Sequence, residues 1–148
     1  MTLQDLEVKP EYRRGDIYYI KRNDPPTETG SEKYAGRPAI IVSNDKANAN
    51  AKVLEVVYLT TQEKAPIPVH VEINSSSLRS TALCETVYSF DISRFGDYVG
   101  HCTPSEMAAI DSALKISLGL NEKPKTVTIY RRIINMLLDE LEAVENAN

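Results

Sequence analysis

The chain has no tryptophan, only two cysteines and two histidines in 148 residues, and no apolar run approaching the length of a membrane span. Cys84 and Cys102 stand alone in apolar or strand-like surroundings, so neither a disulfide framework nor a zinc site is expected, and both read as free thiols of a reducing compartment. No cluster of His, Cys and carboxylates has metal-ligand spacing, which disfavours metal-dependent chemistry and leaves no cofactor to expect. Gly30 and Gly36 do not form a phosphate-binding glycine loop. A net charge of −4 argues against coating nucleic acid by bulk electrostatics, though it permits a local basic cleft. Asp5, Glu7 and Glu11 give the amino terminus neither the basic nor the apolar part of a signal peptide, so a cytoplasmic protein without membrane partners is expected.

What is present reads as a single domain with extensions. Residues 1–12 form a polar arm, and Arg14-Gly15-Asp16 opens a strand carried by Ile17, Tyr18, Tyr19 and Ile20. Residues 21–36 are a long polar loop, and a loop of that length in a compact domain is usually functional or disordered. The nearly continuous apolar run Pro38–Ser43 predicts a central strand buried on both faces. Asn44–Lys52 reads as a polar turn, Val53–Thr61 as the next strand, and Val69–Ile73 as a half-exposed strand with His70 and Glu72 on its polar face. Thr81–Phe90 predicts one or two further strands, followed by a looser segment through His101.

Thr103-Pro104-Ser105-Glu106 is a helix start with a capping box, Met107, Ile110, Leu114 and Leu118 form one stripe, and Gly119 suits the C-terminal end. Five or more short strands followed by a helix suggest a curved sheet or small barrel with the helix covering one side. A second amphipathic helix is expected over about Thr128–Glu145, and its broad apolar stripe must be buried on this domain, across a homodimer, or against a partner.

The chemistry-bearing positions are few. Arg37 stands where the polar loop becomes the central strand, between Gly36 and Pro38, which restrict how the backbone enters. A guanidinium keeps its charge at any working pH and matches phosphate oxygens with two parallel hydrogen bonds. Taken alone, the commoner reading is a surface arginine capping a strand entrance. Thr60 ends an apolar strand and offers a neutral hydroxyl to a phosphate oxygen, although threonines at strand ends are commonly structural. His70 and His101 read as exposed or structural, Glu106 as a cap and Asp111 as part of a solvated face. Metal-free phosphoester cleavage can use a ribose 2′-hydroxyl as nucleophile, which would make RNA the substrate.

Five segments in order carry a resemblance across about Arg13–Leu120: Arg14-Gly15-Asp16-Ile17-Tyr18; Gly30-Ser31-Glu32 to Arg37-Pro38 with Val42-Ser43-Asn44-Asp45; Leu59-Thr60-Thr61-Gln62; His70-Val71-Glu72-Ile73; and Ile116-Ser117-Leu118-Gly119-Leu120. Together they resemble the MazF/PemK (Kid) toxins of bacterial toxin–antitoxin modules. The resemblance implies an α+β fold built on an SH3-like small β-barrel with a helix on it, which forms a homodimer. It also implies metal-independent cutting of single-stranded RNA at short sequences, leaving a 2′,3′-cyclic phosphate and a 5′-hydroxyl, with a cognate antitoxin blocking the RNA groove. By motif position Arg37 and Thr60 correspond to catalytic residues, and Ser31, Glu32, Tyr34 and Gln62 to the RNA-binding surface. The expected organisation is an arm over 1–12, the toxin-like domain over 13–120 and a helical extension over 121–148. Two other readings stand beside it: a non-enzymatic CcdB-like toxin that binds a protein, and an inactive relative restrained by its C-terminal helix.

Overall fold

The structure, a computed structural model, describes residues 11–22, 36–122 and 126–147, the last stretch with side chains from Ile129 onward. The chain separates into two compact units, Met1–Leu118 and Gly119–Asn148. Ser31, Glu32 and Tyr34 lie outside the described residues.

The first unit is built on one antiparallel sheet. Its strands are β1 (Asp16–Ile20), β2 (Arg37–Ile41), β3 (Val53–Thr60), β4 (His70–Ile73), β5 (Ser80–Asp91) and β6 (Phe95–His101), in the order β4-β5-β3-β2-β1-β6. This mixed α+β architecture is the one expected from the sequence. The Pro38–Ser43 run is central for the reason its composition gives: Ala39, Ile40 and Ile41 are fully buried, so both faces of β2 are covered. One face carries Ile17, Ile40, Val57, Leu59, Ile73, Ala82 and Cys84 and is closed by helix α2 (Pro104–Ser117) through Ile110 and Ala113. The opposite face gathers Tyr12, Ile20, Ala39, Ile41, Leu54, Val56 and Phe95. A fully buried Ile or Leu contributes about 1.5–3 kcal/mol, so each cluster is comparable to the net stability of a typical domain, and neither face can be dispensed with.

Two segments differ from the sequence expectation. Asn44–Lys52 is not simply a turn: it contains helix α1 (Asp45–Asn50), started by the Asn44 side chain, which accepts the Ala47 N–H at 2.8 Å. Asn48 on α1 is buried, and its amide is satisfied by the carbonyl of Ser43 at 2.9 Å and by the Ser43 hydroxyl at 2.5 Å. Phe95–His101 is not loose but the edge strand β6, paired with β1 through two register irregularities. Its glycines concealed it. At Gly100 a Cβ would lie 2.7 Å from the carbonyl oxygen of Ser75, so a bare backbone is required where the β4–β5 connection crosses.

Helix α2 begins as its motif predicts. The Thr103 hydroxyl accepts the Glu106 N–H at 3.2 Å, and the Glu106 carboxylate accepts the Thr103 N–H at 2.8 Å. The same carboxylate accepts the Asn74 N–H at 2.7 Å and a hydroxyl hydrogen bond from Ser75, tying the β4–β5 connection to the helix. Met107, Ile110 and Leu114 face the core as the stripe requires, whereas Leu118 lies past the last turn and is 59 % exposed. Gly119 follows with φ +71, the left-handed conformation of a helix C-terminal glycine. In the second unit, helix α3 (Thr126–Asn146) is the second amphipathic helix.

Candidate nucleic-acid interface

The arrangement of the site begins with strand register. Ala39 pairs with Tyr58, Ile40 with Val57 and Ile41 with Val56. Carried two residues further, this register sets Arg37 opposite Thr60. Directly opposed residues of antiparallel strands point to the same face, and Thr60 is in turn paired with Thr81, and Thr81 with Glu72. One row across four strands thus reads Arg37, Thr60, Thr81, Glu72, with roughly 4.8 Å between neighbouring strands.

Arg37 is aimed by two local constraints. At Gly36 a Cβ would stand 2.7 Å from the Ile20 carbonyl oxygen, so only glycine lets the chain pass β1 at this point. From there the guanidinium carbon lies 4.6 Å above the centre of the Tyr58 ring, a cation–π contact that holds the fork over the sheet. Among the described residues, no carboxylate is ion-paired with Arg37. Its charge is therefore available to an anion.

Tyr58 is also the centre of an aromatic shelf that the sequence reading missed. Its ring centre lies 4.8 Å from that of Tyr88 and 5.9 Å from that of Phe90, while Tyr88 and Phe90 are within 8° of parallel at 6.0 Å. These rings meet because β5 changes register. Leu83 pairs with Tyr58, but Tyr88 pairs with Val56, so extra residues are absorbed between them. Arg94 lies 4.9 Å over Phe90 and is fixed by donating from Nε to the Lys21 carbonyl oxygen at 2.8 Å. Burial pushes the Tyr58 phenol above its ordinary pKa, and the positive charges of Arg37, Arg94 and Arg22 pull against that shift. Two guanidinium groups therefore lie over the aromatic shelf, Arg37 on Tyr58 and Arg94 on Phe90. The period-two spacing of Tyr88 and Phe90 was the available sequence signal; their proximity to Tyr58 depends on the bulge and was not.

Beyond Thr60 lies a polar groove of about 380 Å³ whose walls include Thr60, Gln62, Lys64, Arg79 and Thr81. The Thr60 hydroxyl accepts the Gln62 N–H at 3.2 Å, which leaves its own proton to donate. Arg79 is paired with Glu72 at 2.9 Å. The structure thus brings Arg37, Thr60 and Gln62 to one end of the β2–β3 pair.

The remaining chemistry-bearing groups serve the scaffold. His70 contacts the Ala65 carbonyl at 2.7 Å and Glu85 at 3.2 Å, and His101 contacts Asp16 at 2.7 Å. Asp111 is bound by Arg14 at 2.7 Å, whose Nε also donates to the Val42 carbonyl. Burial pushes the Cys84 and Cys102 thiols up to about 12, which makes them inert near neutrality. Among the described residues, no three His, Cys, Asp or Glu side chains are grouped so as to hold a metal ion. No helix among them is long and apolar enough to cross a membrane.

Fold and site define a small α+β protein whose curved antiparallel sheet has one face closed by a helix and the other edged by arginines and aromatics. Residues 13–118 match the family model described as the PemK-like, MazF-like toxin of type II toxin-antitoxin systems, and the chain belongs to that family. Among solved structures it is similar to an endoribonuclease from Mycobacterial species, at 27% identity over 79% of this chain and 100% of that one, with a TM-score of 0.64. An endoribonuclease in complex with its cognate antitoxin, also from Mycobacterial species, matches at 29% identity over 76% of this chain and 99% of that one, TM-score 0.62. MazF from Deinococcus radiodurans shares the fold at 18% identity, covering 75% of this chain and 99% of that one, TM-score 0.60.

Proposed function

We propose that this protein is the toxin of a toxin–antitoxin pair and cuts single-stranded RNA without a metal ion. The observation that carries the reading is the placement of Arg37 and Thr60 opposite each other on an open sheet face, with the Arg37 charge unpaired among the described residues. Family membership and the endoribonuclease neighbours support it.

In this reaction the ribose 2′-oxygen attacks the adjacent phosphorus as its proton passes to solvent. A new P–O2′ bond forms, the P–O5′ bond breaks, and the 5′-oxygen takes up a proton, leaving a 2′,3′-cyclic phosphate and a 5′-hydroxyl. Arg37 binds the phosphoryl oxygens and neutralises the charge that grows on them as phosphorus becomes five-coordinate. Thr60 donates a hydrogen bond to one of those oxygens. An arginine is too weak an acid to exchange protons readily near neutrality, so its role is electrostatic. Gln62 and the groove beyond Thr60 hold the strand on one side, and the exposed Tyr88 ring offers a face on which an unpaired base stacks. By motif position, Ser31, Glu32 and Tyr34 also bind RNA.

Residues 13–120 form the cutting domain, which works as a homodimer and is blocked by a cognate antitoxin; residues 1–12 are an arm and 121–148 an extension. The test is cleavage of single-stranded RNA in excess EDTA. Wild type cuts, and Arg37→Ala reduces kcat by about 10³-fold, the scale of losing an oxyanion-stabilising donor, with an unchanged melting temperature. Intact RNA with folded wild type, or undiminished cutting by the variant, overturns the enzyme and favours a toxin that acts by binding a protein.

A further inference from the structure

Helix α3 carries an apolar face that no described residue of its own unit covers. Tyr130, Ile134, Leu137, Leu141 and Val144 are all at least half exposed, and they recur at alternating steps of four and three residues. That is the heptad spacing of a coiled-coil seam, with Ile134 and Leu141 at a, and Tyr130, Leu137 and Val144 at d. Arg132, Asp139 and Glu142 occupy the far side, as solvent-facing f and b positions require.

We propose that α3 pairs with α3 of a second copy of this chain, in antiparallel orientation. The flanking charges choose the direction. In a parallel pair, g meets the e position five residues on, which sets Glu140 against Glu145 of the second copy, twice, with nothing to neutralise them. In an antiparallel pair, e meets e, which sets Arg131 against Glu145 of the second copy, also twice, at the cost of one Glu140–Glu140 approach on the two-fold axis. Seating Ile134 over Val144 and Leu137 over Leu141 of the other copy satisfies the seam in the same register. The charge gradient agrees: Arg131 and Arg132 lie near one end, and Asp139, Glu140, Glu142 and Glu145 toward the other. A seam this short is marginal for isolated helices. Attachment to a folded domain raises the effective concentration of the two helices if the domains also associate.

Disulfide trapping in the full-length protein tests the pairing and its direction together. The native cysteines do not interfere, since both thiols are buried. Under mild oxidation, the double variant Arg131→Cys/Glu145→Cys forms a covalent dimer joined 131 to 145, whereas each single variant forms none above the wild-type background. The two positions are fourteen residues apart on one helix, about 21 Å, so they cannot join within a chain. Adding Leu137→Glu to the double variant lowers the dimer yield at least tenfold. Cross-linking of the single variants to themselves overturns the antiparallel arrangement. Absence of any dimer in the double variant overturns self-pairing and assigns the α3 face to another surface. Neither outcome bears on RNA cleavage.

Discussion

Replacing Tyr58 by leucine removes the ring beneath Arg37 while leaving an apolar side chain on the sheet. The guanidinium carbon lies 4.6 Å from the ring centre, and Tyr58 is half-buried, so the contact is neither fully wet nor fully desolvated. Cation–π pairs span ~0.5–1 kcal/mol at exposed sites to ~2 kcal/mol when desolvated, which places this one at about 1–1.5 kcal/mol. At 1.36 kcal/mol per factor of ten in rate, Tyr58→Leu lowers kcat by about 5- to 13-fold, far less than loss of Arg37 itself. If the Arg37 fork meets the transition state as proposed, KM changes less than kcat, because Tyr58 positions that fork. Tyr58→Phe keeps the ring face and restores most of the rate. The assay is steady-state cleavage of a fluorogenic RNA oligonucleotide by wild type, both Tyr58 variants, Arg37→Ala and the double variant Arg37→Ala/Tyr58→Leu. If Tyr58 acts through Arg37, its loss costs nothing further once Arg37 is gone. Two results refute the argument: a Tyr58→Leu enzyme as fast as wild type, or a Tyr58→Leu effect of equal size in the Arg37→Ala background.

Two other perturbations probe the scaffold. Burial alone would raise the pKa of Glu106, but hydrogen bonds from the Ser75 hydroxyl and the Thr103, Asn74 and Ser75 N–H groups outweigh it and hold the carboxyl at about 2. Because the folded pKa is depressed, the stabilisation is complete above pH ~4.5 and is lost as pH falls towards about 2. The full shift corresponds to ~3.4 kcal/mol at 1.36 kcal/mol per unit, which solvent screening of this partly exposed group reduces to ~1–2 kcal/mol. Urea melts at pH 7 and pH 3 therefore show Glu106→Gln less stable at pH 7, and the gap to wild type narrowing at pH 3. Gly36→Ala forces a Cβ against the Ile20 carbonyl, so it costs ~1–3 kcal/mol by thermal melting and lowers cleavage by misplacing Arg37; a melting temperature equal to wild type contradicts the close approach.

Patterns that are local to the chain were legible. The capping box of α2, the apolar run of β2 and the period-two alternation of β4 each specify an element without help from tertiary structure. The helix α1 was hidden because its one buried contact is Asn48, a polar residue that fits only through its bonds to Ser43. The strand β6 was hidden by glycines that exist for close backbone approach and lower strand propensity at the same time. The candidate site divides along the same line. Arg37 and Thr60 stand at strand ends that the sequence marks, and their register places them opposite each other. The aromatic shelf was not legible, because it depends on a change of register within β5, and a sequence does not display how many residues a bulge absorbs. The apolar stripe of α3 was readable from its spacing, but spacing does not say which of the surfaces weighed for it, this domain, a second copy or a partner, it is buried against.

The most direct measurement uses one RNA oligonucleotide that wild type cuts at a single position, together with the same strand carrying a lone 2′-deoxyribose on the 5′ side of the scissile phosphate, both in excess EDTA. Cutting at the deoxy position is expected to be lost completely, with binding retained, and the product of the all-ribose strand to carry a 2′,3′-cyclic phosphate. Cleavage of the deoxy-substituted strand at the same bond would contradict this, because the 2′-hydroxyl would then not be the nucleophile that Arg37 and Thr60 are placed to serve.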